Sequence, residues 1–89
     1  MRSHKISIEP AYLILLTSDL SAEGIGFYLL LVMWRRRTGV LPNDKVFLRS
    51  ITRCRDDDVS ESELDYVLRT RFEDGGDGNL NEVNTLRAI

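Results

Sequence analysis

The sequence predicts a mostly α-helical fold that is completed by a small β-hairpin. Three observations support this class: one long apolar segment with helix-type ends, two later segments with helix-type apolar spacing, and a glycine-rich turn near the C-terminus. The 89 residues, of which 43% are hydrophobic, suit a single core. We therefore expect one domain over residues 1–89, with ends at 1–4 and 84–89 that could fray.

The long apolar segment predicts a first helix from Ser21 to Arg37. Ser21 can accept a hydrogen bond from the first turn, Glu23 complements the positive end of the helix, and the arginines at 35–37 complement its negative end. Residues 27–34 are apolar without a break, so we expect no face of the last two turns to be exposed. The side chains predicted to be buried are Phe27, Leu30, Leu31 and Trp34. This run is much shorter than the roughly 20 residues that a membrane span needs.

The segments before this helix are shorter. Ile6 and Ile8 alternate with polar neighbours, which predicts a strand over residues 5–9 that Pro10 ends. Residues 12–16 are apolar without alternation, and we interpret them as a helical turn. Residues 17–19 form a polar break before the first helix.

A second helix is predicted after Gly39 and Pro42, which interrupt the first. Asn43 or Asp44 can cap it, and it should run to about Arg53. Its apolar positions recur at helical spacing, with Leu48 as a further candidate: Val46, Phe47 and Ile51.

A third helix and a hairpin should follow. Ser60 and Glu63 match a capping box, and the apolar face of this helix would contain Leu64, Val67 and Leu68 with Tyr66 beside it. We expect the helix to end near Thr70. Two short runs, one beginning at Phe72 and one containing Leu80 and Val83, flank a flexible tip over residues 74–78. Three helices followed by a hairpin, with a short strand at the start, is the element order of a winged helix-turn-helix domain, three helices plus wing.

Charge is divided unevenly along the chain. Residues 1–55 carry nine basic and four acidic side chains, a net +5, whereas residues 56–89 carry three basic and ten acidic side chains, a net −7. If the fold keeps the halves apart, a basic and an acidic surface would attract different partners. Otherwise the two halves compensate each other as solvated faces.

Catalytic chemistry is not supported by the residue inventory. His4 and Cys54 are the only histidine and cysteine, so neither a nucleophilic pair nor a structural zinc site can be assembled. The Asp56–Asp58 run lacks the alternation of a calcium loop, and the glycine-rich tip lacks a Walker lysine. We expect no enzyme activity, no cofactor and no metal. The N-terminus lacks the apolar core of a signal peptide and no internal disulfide can form, so we expect a cytoplasmic location.

Several segments resemble the signature of the YdaU-like family of phage and prophage proteins, a domain of unknown function. They are LSAE at 20–23, GFYLLL at 26–31 followed by Trp34, and GVLPND at 39–44. Phe72, Asp77–Gly78 and Leu80–Asn81 are similar to the family's later pattern, so the resemblance spans about residues 20–83. Gly24 stands where the family has a second acidic residue, and residues 17–19 present the family's aspartate and threonine in altered order.

The resemblance implies a winged-helix module that is encoded by a phage or prophage and acts inside a bacterial cell. The family is often placed near replication genes and has no known catalytic activity. What it implies for this chain is therefore replication-associated nucleic-acid binding by a non-enzymatic module.

Two sets of charged residues are candidate binding surfaces. Arg49 and Arg53 lie one helical turn apart, and Arg55 with the arginines at 35–37 could extend them into a phosphate-contacting patch. The alternative is that these side chains complement helix ends and pair with the acidic half. The nucleic-acid candidates are Arg35, Arg36, Arg37, Arg49, Arg53 and Arg55.

The acidic set favours a different partner, because carboxylates on a third helix and wing would repel DNA. The rival hypothesis is a small phage protein that inhibits a basic host surface, such as a nucleic-acid-binding defence complex, in the manner of an anti-CRISPR protein. The protein-binding candidates are Glu61, Glu63, Asp65, Glu73, Asp74 and Asp77. We expect a macromolecular partner, either nucleic acid or a basic host protein, and no membrane.

Overall fold

The computed structural model describes residues 17–83. The strand predicted at 5–9, the turn predicted at 12–16 and the tail from 84 lie outside them. Within the described part, three helices are followed by a two-stranded antiparallel hairpin, so the predicted mostly helical class with a hairpin is confirmed. The elements are α1 (Ala22–Thr38), α2 (Lys45–Thr52), α3 (Asp58–Arg71), β1 (Phe72–Asp74) and β2 (Leu80–Glu82).

Both ends of α1 follow from local chemistry, as predicted. The Ser21 hydroxyl accepts a hydrogen bond from the Gly24 N–H at 3.0 Å. At the other end Gly39 is left-handed, with φ of 90°, and its N–H donates to the Arg35 carbonyl at 2.8 Å. The helix is therefore closed by the residues that flank it.

The two later helices differ in how well their starts were predicted. Asp44 caps α2 by accepting the Val46 N–H at 3.1 Å. The capping box at Ser60 and Glu63 is wrong, because α3 begins at Asp58 and its cap is Asp57, which accepts the Ser60 N–H at 2.8 Å. Both aspartates satisfy first-turn amides, but the serine lies inside the first turn of α3 and its side chain is free for another use.

The hairpin is extended by the connection between α1 and α2. β1 and β2 pair in antiparallel register, with Phe72 opposite Glu82. The Leu41 carbonyl then accepts the Leu80 N–H at 2.7 Å, and the Asn43 N–H donates to the Gly78 carbonyl at 2.9 Å. This segment forms a single antiparallel bridge with the hairpin, between Pro42 and Asn79. The order helix, bridging segment, two helices and hairpin gives a winged-helix-like layout.

The core lies where α1 faces α2, α3 and the hairpin. Trp34 was predicted to be buried, but it is 36% exposed, and Leu30 is only half-buried. Val46 of α2 was predicted to be on the apolar face and is 78% exposed. An apolar run places side chains on every side of a helix, whereas the neighbouring elements cover only one side. The fully buried apolar residues are Leu31, Val32, Leu41, Leu48, Leu64 and Val67.

In the part of the chain that the structure describes, no helix has the length and apolar character needed to cross a membrane.

Candidate functional site

Ion pairs interleave the basic and acidic halves of the chain. Of the eight pairs among residues 17–83, six join a basic residue of the first half to an acidic residue of the second. The fold therefore does not keep the two halves apart. The six pairs are Arg35–Glu82, Arg36–Glu82, Lys45–Asp65, Arg49–Asp56, Arg49–Glu61 and Arg55–Asp57.

The six candidate arginines do not form one patch. Arg35 and Arg36 lie in the last turn of α1 and contact Glu82 of the wing at 3.5 and 3.0 Å. Arg55 contacts Glu23 in the first turn of the same helix at 3.4 Å. Because Glu23 and Arg35 are twelve residues apart in α1, about 18 Å separates these positions along the helix.

Most of these arginines are already engaged by carboxylates. Arg49 contacts Asp56 at 3.2 Å and Glu61 at 3.1 Å, and the hydrogen bond to Asp56 is the main reason that its pKa is raised. The exceptions in the described range are Arg37 and Arg53, which are exposed and have no ion-pair partner there. Only these two candidates keep a free guanidinium group.

The acidic candidates on α3 are in different situations. Glu61 is held by Arg49 and Asp65 by Lys45. Glu63 has no ion pair within the described part of the chain. Its carboxylate lies over the first turn of α1, where a Cβ atom at position 24 would collide with its Oε2 atom. This close approach gives a physical reason for glycine at 24, because an acidic side chain there would meet a second carboxylate.

The acidic candidates of the wing shape its turn. Asp74 accepts the Gly76 N–H at 3.0 Å, and Asp77 accepts the Asn79 N–H at 3.1 Å. Glu73 is exposed and has no ion pair in the described part of the chain. The wing thus presents three carboxylates that no guanidinium or ammonium group of residues 17–83 neutralises.

The outward side of α3 forms an open concavity, which we call the α3 face. Val59 is 72% exposed, although it is apolar, and three carboxylates line the same concavity. This arrangement combines exposed apolar surface with negative charge. The lining residues are Asp19, Asp58, Val59, Ser62, Glu63 and Tyr66.

Asp19 is fixed at the edge of the α3 face by two donors. The Tyr66 hydroxyl donates to one carboxylate oxygen and the Arg71 guanidinium to the other. The hydrogen bond from Tyr66 is the main cause that lowers the pKa of Asp19, and the same bond raises the pKa of Tyr66. The carboxylate is therefore ionised at neutral pH. Asp19 was not predicted as a site residue, because 47 positions separate it from Tyr66 along the chain.

A buried serine links the start of α1 to the start of α3. The Ser60 side chain is fully buried, donates to Glu23 Oε2 at 2.7 Å and accepts from Arg55 Nε at 2.9 Å. Arg55 also contacts Glu23 directly. These three side chains form a structural clamp, so Arg55 is engaged inside the protein.

Other chemistry finds little support in the described residues. Residues 17–83 contain no group of three or more histidine, cysteine or carboxylate side chains that could hold a metal ion. Cys54 is half-buried, and burial is the main cause that raises the pKa of its thiol, which keeps it protonated. His4 lies outside the described residues.

Comparison of the chain with protein-family models, with curated proteins and with solved structures finds no match. The resemblance to the YdaU-like family stays a prediction.

Proposed function

We propose that this chain is a non-enzymatic winged-helix module that binds a basic protein surface through the α3 face. The observation that carries the proposal is the charge left over after internal pairing. Among residues 17–83, six carboxylates but only three guanidinium groups lie outside ion pairs. The carboxylates are Asp44, Asp58, Glu63, Glu73, Asp74 and Asp77, and the guanidinium groups are Arg37, Arg53 and Arg69.

Negative charge is concentrated where a winged helix would approach DNA. In that architecture the third helix enters the major groove and the wing lies beside the phosphates. Here Asp58 and Glu63 lie on the third helix and Glu73 lies on the wing, all without an ion pair among the described residues. Phosphates would be repelled at both positions, because binding DNA requires that its negative charge be neutralised. A basic protein surface meets the opposite condition.

The α3 face also offers apolar contact area, which a purely electrostatic surface would lack. Val59 is 72% exposed there, and Tyr66 lines the same concavity. Interfaces between proteins combine an apolar or aromatic centre with a polar rim, and rim charges speed association. A small phage or prophage protein of this kind would inhibit a bacterial host protein by covering the basic surface with which that protein binds nucleic acid.

Pull-down from nuclease-treated bacterial lysate tests this proposal. We expect the wild-type chain to retain a protein after nuclease treatment, and Glu63→Lys to lose it. Asp56→Lys is the matched control, because this substitution makes the same change in charge at an exposed residue that lies outside the α3 face. With the captured protein purified, Glu63→Lys should slow association and weaken its salt dependence.

Two results would contradict the proposal. Loss of the captured material on nuclease treatment would show that nucleic acid is the partner. Equal losses for Glu63→Lys and Asp56→Lys would show that net charge matters and that the α3 face does not.

Nucleic-acid binding is the second candidate, and the free guanidinium groups of Arg37 and Arg53 favour it. Each phosphate contact releases counterions, so Arg37→Ala or Arg53→Gly should reduce the slope of log affinity against log salt by about one unit. Arg49→Ala should change the slope less, since Arg49 already pairs with two carboxylates. Anisotropy titrations with DNA and RNA oligonucleotides measure these slopes, and unchanged slopes would remove both arginines from a site.

A further inference from the structure

A second exposed apolar surface lies where α1 packs against α2. Val46 is 78% exposed and Trp34 is 36% exposed, and the Trp34 ring meets Phe47 edge-on with centroids 5.3 Å apart. Val46, Ser50 and Arg53 are spaced by four and three residues, so they form one outward stripe along α2. We call this surface the α1–α2 face; its residues are Trp34, Arg37, Val46, Phe47, Ser50 and Arg53.

Free positive charge stands at both ends of this face. Trp34 contacts Phe47, whereas Glu23 contacts Arg55 just after α2, so the two helices run antiparallel. Arg37 follows Trp34 by one turn at one end, and Arg53 ends α2 at the other. Neither has an ion-pair partner among the described residues. The face therefore carries two guanidinium groups without an ion pair in the described range, and one such carboxylate, that of Asp44, caps α2 beside Val46.

The backbone at Arg53 is an independent observation. Its φ of 57° is left-handed, and in the described part of the chain it is the only residue other than glycine with positive φ. Glycine or asparagine adopts this helix-ending conformation more easily than arginine. An exposed arginine at such a position, with no ion pair inside the described chain, leaves its guanidinium group available to a partner outside the protomer.

We propose that the α1–α2 face binds the α3 face of a second copy of this chain, in a head-to-tail contact. This inference rests on the proposed function, because it uses the α3 face as a surface for basic proteins. The charges are complementary: Val59 shares the α3 face with the unpaired carboxylates of Asp58 and Glu63. Val46 shares the α1–α2 face with Arg37 and Arg53, which have no ion pair among the described residues.

The contact joins two different surfaces, so a pair retains one free α1–α2 face on one copy and one free α3 face on the other. Such a heterologous arrangement grows into longer assemblies unless its rotation closes a ring. A copy whose α3 face is occupied cannot bind the basic protein partner with the same face. Self-association thus keeps the protein in a form that cannot bind its partner, and dilution dissociates this form into active monomers. The exposed Val46 of the α1–α2 face has neither a charge nor a hydrogen-bond donor to offer a phosphate backbone. A protein therefore fits the α1–α2 face better than a nucleic acid does.

Sedimentation velocity on the full chain tests the proposal. We expect the average sedimentation coefficient to rise with protein concentration at low salt and to fall again when salt is added, because the rim contacts are ionic. Val46→Glu blocks binding through the α1–α2 face and Glu63→Lys blocks binding through the α3 face, so each variant alone should sediment as a monomer. Arg53→Gly should weaken association without loss of thermal stability, because glycine suits the left-handed backbone.

Mixing the two variants gives the sharpest result. The Val46→Glu chain keeps its α3 face and the Glu63→Lys chain keeps its α1–α2 face, so an equimolar mixture should form dimers that do not grow further. A wild-type chain that stays monomeric at all concentrations, or a mixture that stays monomeric while both variants are folded by circular dichroism, would overturn the inference. Association that survives Glu63→Lys would also overturn it, because the occupant would then not be the α3 face.

The same variants separate this inference from the proposed function. Val46→Glu leaves the α3 face intact and should still capture the basic partner from nuclease-treated lysate. If capture persists while the wild-type chain never self-associates, only the head-to-tail contact is wrong. If self-association follows the pattern above while no protein is captured after nuclease treatment, the proposed function fails instead.

Discussion

Replacing Ser60 by alanine should destabilise the protein by about 1–2 kcal/mol. The hydroxyl makes one hydrogen bond to a carboxylate and one to a guanidinium group, at 2.7 and 2.9 Å, and bonds to charged groups contribute roughly 1.5–3 kcal/mol each. The loss is smaller than their sum, because the side chains of Glu23 and Arg55 are 30% and 65% exposed and still contact each other at 3.4 Å. Alanine also favours the helix by a few tenths of a kcal/mol.

Thermal or urea unfolding measures this change, which corresponds to a fall in Tm of about 4–16 °C for a domain of this size. A double-mutant cycle with Glu23→Gln identifies its cause. If Ser60 acts through the clamp, the two substitutions should be non-additive by about 1 kcal/mol. Additive losses would refute the clamp. Asp44→Ala is the control, since it removes the cap of α2 at a cost of about 1 kcal/mol and Asp44 contacts no member of the clamp.

Two further predictions follow from burial and from the pKa shifts. Trp34→Ala should lower the free energy of unfolding by about 1–2 kcal/mol, and Leu31→Ala by about 2–5 kcal/mol, because Trp34 is 36% exposed and Leu31 is fully buried. Equal losses in urea unfolding would contradict the rim position of Trp34. The hydrogen bond from Tyr66 lowers the pKa of Asp19 below its ordinary 3.8. The stability that ionised Asp19 contributes is therefore complete above pH 3.8, and it is lost as the pH falls through the lower pKa of the folded state. Tyr66→Phe should raise the pKa of Asp19 in a carboxyl NMR titration, and an unchanged pKa would remove Tyr66 as its cause.

The helix ends were predictable because their causes are local. Ser21 and Asp44 accept N–H groups three and two residues ahead, and the arginines at 35–37 lie in the last turn that they were expected to complement. Gly39 adopts its left-handed conformation because it has no Cβ atom. Such short-range hydrogen bonds and backbone preferences are visible in a window of a few residues.

The wrong predictions concern residues whose contacts are set by neighbouring elements of the fold. Ser60 matched a capping box, yet Asp57 takes the cap, and the buried hydroxyl binds Glu23, 37 residues earlier. Trp34 belongs to an unbroken apolar run, but it is 36% exposed, with Phe47 of α2 packed edge-on against its ring. A sequence window contains the side chain and not the surface that covers it.

The amino-acid sequence by itself determined the number, type and approximate bounds of the described elements, together with the excess of negative charge in the second half. Only the tertiary structure decided which charges stay available to a partner. Arg35 pairs with a carboxylate 47 residues away and Arg55 with one 32 residues away, whereas Arg37 has no ion pair within residues 17–83. Ion pairing depends on the distance between side chains in space, which is set when α1, α3 and the wing pack together and is independent of their separation along the chain.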